Sequence, residues 1–204
     1  RIDEILTDHF GQTNPYLGIY SKQDGIHLRI ISRAPNESEA LQLLKPMEES
    51  ITSQLLEYIW GYDTDTPAES CGKLLTAQNL TVSLWDTCTG GMLSDLLTQV
   101  SNHYEFFKGG FITTESDTNH FGLSESDYQN NRSISQQTAT DMAESIRKEM
   151  MSDIGIGIIG ETEPNESTTI QSANLYISIA GVGGTSEITT NVPARSITIK
   201  RRAA

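Results

Sequence analysis

The sequence predicts an α/β protein, a layered helix-sheet-helix domain preceded by a small α+β unit. Up to about residue 66, two short alternating apolar runs are followed by one long amphipathic helical pattern. From Pro67 onward, helical and strand patterns alternate, an order that places helices on the faces of a common sheet. Within that second part, an apolar run ends in a glycine pair that opens a helical pattern: Leu84-Trp85-Asp86-Thr87-Cys88-Thr89-Gly90-Gly91-Met92.

Residues 16 to 33 read as a hairpin around a polar turn at Lys22 to Gly25, with Ile26, Leu28 and Ile30 alternating on the second strand. Glu37 to Leu56 reads as a helix with Leu41, Leu44, Met47, Ile51 and Leu55 on one face, which Pro46 would kink or split. Tyr58-Ile59-Trp60-Gly61-Tyr62 reads as a short strand closing a β-β-α-β unit, and Asp63 to Pro67 marks a boundary. The expected division is therefore 1–66 and 67–204. In the second part, Pro67 to Gln78 is a helix, Leu80 to Trp85 a strand, Gly91 to Val100 a helix and Phe106 to Thr113 a strand. Ser135 to Met151 is a helix with Ser135 as its cap and a stripe of Ala139, Met142, Ile146 and Met150. Ile154 to Ile159 alternates with glycine and reads as a buried strand that another backbone approaches closely. Leu175 to Ala180 and Glu187 to Val192 are strands around a Gly181 to Gly184 turn, and Ser196 to Ala204 begins a further helix.

The 204 residues carry a net charge of −13, which repels phosphate backbones and anionic membranes, so nucleic acid is not an expected partner. No apolar run approaches the roughly 20 residues a membrane helix needs and no signal-peptide pattern opens the chain, so a cytoplasmic protein is expected. Cys71 and Cys88 form no C-x-x-C pair and have no neighbouring His; neither a metal site nor a disulfide is expected. The start at Arg1 and the helix opening at Ser196 suggest a longer parent chain.

The segment LTVSLWDTCTGG resembles the signature of the CinA C-terminal domain family, a strand followed by A-E-S-C-T-G-G. The similarity continues through FFKGGFITTES, SISQQTATDMAESIRKEM, NLYISIAG and VPARSITIKRRAA, over roughly residues 67 to 204. The leading unit resembles the KH-type segment that precedes this domain, including Ile59-Trp60-Gly61-Tyr62-Asp63 for the family's I-Y-G-x-D. Ala68-Glu69-Ser70-Cys71-Gly72 spells much of the same signature, but it lies in a helical pattern and is set aside as a decoy.

The resemblance implies a nicotinamide-nucleotide amidase, hydrolysing the carboxamide of nicotinamide mononucleotide without a cofactor or a metal. It assigns the nucleophile to a Ser, assisted by a Tyr and a Lys. In this sequence those positions hold Thr87, Thr114 and Asn119. Thr keeps a hydroxyl but crowds it with a β-branch, and Asn does not accept a proton at neutral pH. The family's S-G-I-A-G-P-D-G-G loop corresponds to Ile159-Gly160-Glu161-Thr162-Glu163-Pro164-Asn165-Glu166, whose carboxylates would repel a phosphate.

The remaining candidates carry two readings each. Asp86 keeps the charge of the family Glu or caps the following helix. Thr89, Gly90 and Gly91 offer N–H groups to an anion or simply allow a tight turn. Arg195 pairs with a phosphate or carboxylate or lies on the surface. His120 stands in as a base or is a loop residue, Lys108 touches a ligand or is solvated, and Cys88 is expected in packing. No G-x-x-G occurs within residues 1–66, so the KH-type unit is expected to be structural or dimerising rather than RNA-binding, within a homo-oligomer. Two functions follow from the resemblance: a catalytically degenerate member retaining nucleotide binding or assembly, and an active amidase with Thr87 as nucleophile.

Overall fold

The computed structural model describes residues 2–22, 24–113, 134–163 and 171–194, and backbone contacts divide the chain into two compact units, Arg1–Pro67 and Ala68–Ala204. In the first unit a short helix α1 (Ile2–Ile5) and a 3-10 turn lead into an antiparallel hairpin, β1 (Tyr16–Ser21) and β2 (Ile26–Ile31), followed by the long helix α2 (Glu37–Leu55). Helix α2 starts where expected because the Asn36 side chain accepts the Glu39 N–H at 3.0 Å. It runs through Pro46 without a break. Met47, Ile51 and Leu55 close onto Leu6 and Leu17. Leu41, placed by its spacing on the same stripe, lies 57 % exposed.

The strand expected at Tyr58–Tyr62 does not form. Leu56–Tyr58 continues α2 as a 3-10 turn, and the backbone of Tyr62 is then taken by a turn: its N–H donates to the Asp65 carboxylate at 3.1 Å and its carbonyl accepts the Asp65 N–H at 2.9 Å. Asp63 sits inside that turn at φ +51°. Those groups are unavailable to a sheet ladder.

In the second unit, α3 (Pro67–Ala77), β3 (Val82–Asp86), α4 (Met92–Thr98), β4 (Phe107–Ile112), α5 (Gln136–Glu149), β5 (Ile154–Glu163), β6 (Gln171–Gly181) and β7 (Gly184–Ala194) build one sheet with the order β4-β3-β5-β6-β7. Strand β3 lies between parallel β4 and β5; β5, β6 and β7 form an antiparallel meander, with Val182 and Gly183 at the tip of the last hairpin. Alternation along β3 sends Val82 and Leu84 toward α3 and α4, where Leu75, Leu97, Val100 and Phe106 meet them. It sends Trp85 to the other face, under Ala139, Met142 and Ile146 of α5. The sheet is thus covered by helices on both faces, as expected. Strands β5 to β7 run past the expected ends, because their ladders continue beyond the apolar residues that made them recognisable.

Helix α5 begins at Ser135, whose hydroxyl accepts the Thr138 N–H at 3.2 Å. Its contact with β5 is backbone on backbone. A Cβ on Gly155 would collide with the Ala143 carbonyl, and one on Gly157 with the Ala139 carbonyl. Gly72, in the decoy signature, fills a comparable seam, where a Cβ would stand 2.9 Å from the Phe106 ring. At the start of β5, the Asp153 carboxylate accepts the Thr81 N–H and hydroxyl, both at 2.7 Å.

Gly157→Ala is expected to cost about 3 kcal/mol or more in urea unfolding, whereas Gly183→Ala, where a Cβ meets nothing within 4 Å, changes stability by less than about 1 kcal/mol. The Thr81 donors hold the Asp153 carboxyl below the usual aspartate range. Its folded value lies below its unfolded value, so the stabilisation is present above the ordinary aspartate range and is lost as pH falls through the folded value. Unfolding titrations from about pH 5 down to about pH 2 should therefore show a shallower acid limb for Asp153→Asn than for the parent.

Candidate functional site

The turn that follows β3 is organised by Asp86, the last residue of the strand and fully buried. Strand alternation points Asp86 to the same side as Val82 and Leu84, beneath the start of α4. One carboxylate oxygen accepts the N–H groups of Cys88 at 2.9 Å and Thr89 at 2.7 Å. The other accepts the Gly91 N–H at 2.8 Å and the Thr89 hydroxyl. Thr89 Oγ1 then accepts the Met92 N–H at 3.0 Å and the Leu93 N–H at 3.4 Å, closing the first turn of α4. Four donors make burial of this carboxylate tolerable without a cation.

The chain can curl this tightly only because Gly90 and Gly91 hold φ +69° and +91°, in the left-handed region. A Cβ on Gly91 would also stand 2.6 Å from the Ile112 side chain. The N–H groups of Cys88, Thr89, Gly91, Met92 and Leu93 are thus all directed at Asp86 or Thr89. An incoming anion would have to displace the protein's own acceptors.

Thr87 faces β5. Its N–H donates to the Ile158 carbonyl at 3.0 Å and its hydroxyl donates to the same oxygen at 3.2 Å. The proton of this hydroxyl, which the resemblance would make the nucleophile, is directed at a backbone carbonyl, which cannot take it up. On the flank, Trp85 donates its indole N–H to the Thr113 hydroxyl at 2.9 Å, and the Thr113 N–H donates to the Asp86 carbonyl at 3.1 Å.

Of the residues singled out in the sequence, Asp86, Thr87, Thr89, Gly90 and Gly91 therefore share one turn. Asp86 does not cap α4 itself; it holds Thr89, which does. Thr114, Asn119, His120 and Arg195 lie outside the described residues. Lys108 does not join the turn: it lies at the opposite end of the β3–β4 pair, where its charge contributes to lowering the Asp153 pKa. Cys88 packs against Ala173, Leu175 and Val192. Partial desolvation raises the thiol of Cys71, a residue exposed on α3, above its ordinary range, which disfavours thiolate chemistry at the decoy. The stretch read as a loop from Ile159 is strand through Glu163, paired with β6. Sequence reasoning missed the Ile158 carbonyl and the capping role of Thr89. The Thr89 role had a signal, a Thr just ahead of an apolar helical run.

The family described as CinA C-terminal domain matches residues 64–204, and the one described as damage-inducible protein CinA KH domain matches residues 1–61. The chain belongs to the CinA family. A competence-damage inducible protein of Desulforudis audaxviator is 31 % identical over 182 residues, covering 88 % of this chain and 44 % of the relative. A CinA-like protein of Prochlorococcus marinus strain MIT 9301 is 31 % identical over 183 residues, covering 88 % of this chain and 43 % of the relative. The chain thus spans about half the length of the curated relatives it matches. Among solved structures, a CinA superfamily protein of Escherichia coli aligns with a TM-score of 0.59 at 20 % identity, over 71 % of this chain and 88 % of that one. A competence or damage-inducible protein of Enterobacter asburiae aligns at 0.57 and 24 %, over 67 % and 87 %. These likenesses show the shared fold.

Replacing Asp86 by Ala should strand its buried donors and cost about 3 kcal/mol or more in chemical denaturation, and Asp86→Asn should also cost about 2 kcal/mol or more, because either orientation of its amide sets an NH2 group against backbone N–H donors. Thr89→Val, which removes the cap, is expected to cost about 1 to 2 kcal/mol and Thr89→Ser less than about 0.5 kcal/mol.

Proposed function

We propose that this CinA-family chain is a catalytically silent relative of the nicotinamide-nucleotide amidases, a binding or assembly module that does not cleave a carboxamide. One observation supports this reading above the others: the Thr87 hydroxyl gives its proton to the Ile158 carbonyl. Amide hydrolysis needs a nucleophile relieved of its proton by a positioned base, and donors for the oxyanion that forms. A backbone carbonyl is no base, and the N–H groups best placed to meet an oxyanion already serve Asp86. The Asn at 119 removes the family's proton acceptor as well.

The competing reading, an active amidase with Thr87 as nucleophile, draws on a half-buried hydroxyl retained at the C-terminal end of β3. To act, that hydroxyl would have to leave Ile158 and find a base. Nicotinamide mononucleotide or a related small nucleotide remains the ligand class to try first, and a homo-oligomer the assembly to look for.

Ammonia release from nicotinamide mononucleotide separates the two readings. The parent protein and Thr87→Val should give the same background rate. Turnover by the parent that Thr87→Val abolishes would overturn the proposal. Calorimetry with the same nucleotide then reports whether binding survives without turnover.

A further inference from the structure

One row of isoleucines crosses the outer half of the sheet in the second unit: Ile158 of β5 pairs with Ile177 of β6, and Ile177 pairs with Ile188 of β7. The row loses its cover as it nears the edge. Ile158 is buried, Ile177 half-buried and Ile188 47 % exposed. No described strand pairs with the outer side of β7. Such an edge invites another chain unless it is short, bulged, covered or guarded by lysine. β7 is long and regular: it pairs with β6 from Gly184 to Ala194 without a shift in register, and it contains no Lys or Arg. Its one charged side chain, Glu187, stands on the α5 face, where its carboxylate accepts the Thr140 hydroxyl at 2.9 Å. Thr185, Ile188, Thr189, Thr190 and Val192 are β-branched, a composition suited to a paired strand.

We propose that the open edge of β7 pairs antiparallel with β7 of a second copy about a twofold axis at Ile188, joining two five-stranded sheets into one of ten strands. The strand matches itself in that register. Ile188 meets the partner's Ile188, so the isoleucine row continues into the second sheet and its exposed end is covered. Glu187 meets the partner's Thr189, Ser186 the partner's Thr190 and Thr185 the partner's Asn191, so no carboxylate opposes another. Moving the axis one residue toward the hairpin would set the two Glu187 side chains against each other, which specifies the register. Copies that each carry a net charge of −13 repel, and an edge with a single carboxylate is where they meet at low electrostatic cost. This names a surface for the homo-oligomer raised above. It does not depend on whether Thr87 acts.

The test is analytical ultracentrifugation of the full chain through the micromolar range, because a single strand edge is smaller than an obligate interface. A concentration-dependent dimer is expected. Ile188→Lys sets two ammonium groups face to face and should weaken the dimer at least about tenfold, and Ile188→Glu should do the same with two carboxylates. An equal mixture of the two variants pairs Lys with Glu and should recover a dimer within about threefold of the parent, which an unfolded variant could not do. Cross-linking is the second measurement. With a short thiol cross-linker, Cys71→Ser/Ile188→Cys should give a covalent dimer; Cys71→Ser/Ser186→Cys, whose two thiols would be offset by about 13 Å along the strands, should give at least about fivefold less. A chain that stays monomeric, as it would if another part of it covers β7, overturns the proposal. So does a dimer indifferent to both charges at 188, or equal cross-linking from 186 and 188. Ammonia release is read separately, so a monomer would leave the silent reading of Thr87 standing.

Discussion

A carboxylate removed from water must be given donors, and in this molecule the four given to Asp86 come from within the five residues that follow it. Strand β3 ends, the chain turns back on itself and α4 begins around that single group. Two glycines with positive φ allow the turn, and Thr89 passes the interaction on to the helix. Its chemical meaning is that the turn is closed on itself. A loop shaped like an anion cradle already contains its anion, covalently attached.

The sheet holds this joint in place through a second constraint. Helix α5 lies directly on Gly155 and Gly157 of β5, and β5 pairs in register with β3 up to Asp86. Any side chain at those glycines would push α5 outward, and the buried contacts of Trp85 with Ala139, Met142 and Ile146 would open with it. The position of Asp86 thus depends on two hydrogen atoms that stand where side chains would otherwise be. Both pieces of the sequence, GIGIIG and DTCTGG, are rich in glycine for different reasons: close approach in one and backbone handedness in the other.

Much of this was legible in the residues. The stripe and Ser cap of α5, the hairpin around Lys22 to Gly25 and the strand-turn-helix at Asp86 all rest on local periodicity and capping chemistry, which short windows express. Tyr58–Tyr62 misled because its aromatics favour a strand while Asp65, three residues further on, captures the Tyr62 backbone. The ends of β5 to β7 were missed because polar residues in a ladder leave no apolar pattern. At the site, the choice of Asp86 and Thr89 was readable, but their division of labour was not. Which hydroxyl reaches which backbone group depends on angles that only the folded chain fixes, and the partner of Thr87, Ile158, is 71 positions away.

That last contact has a chemical corollary. The Thr87 oxygen fastens β3 to β5, and a group cannot be both a fastener and a reagent, because each role claims the same hydrogen. Drawing that hydroxyl into chemistry would require a base and would leave the strand end held to β5 by the Thr87 N–H alone.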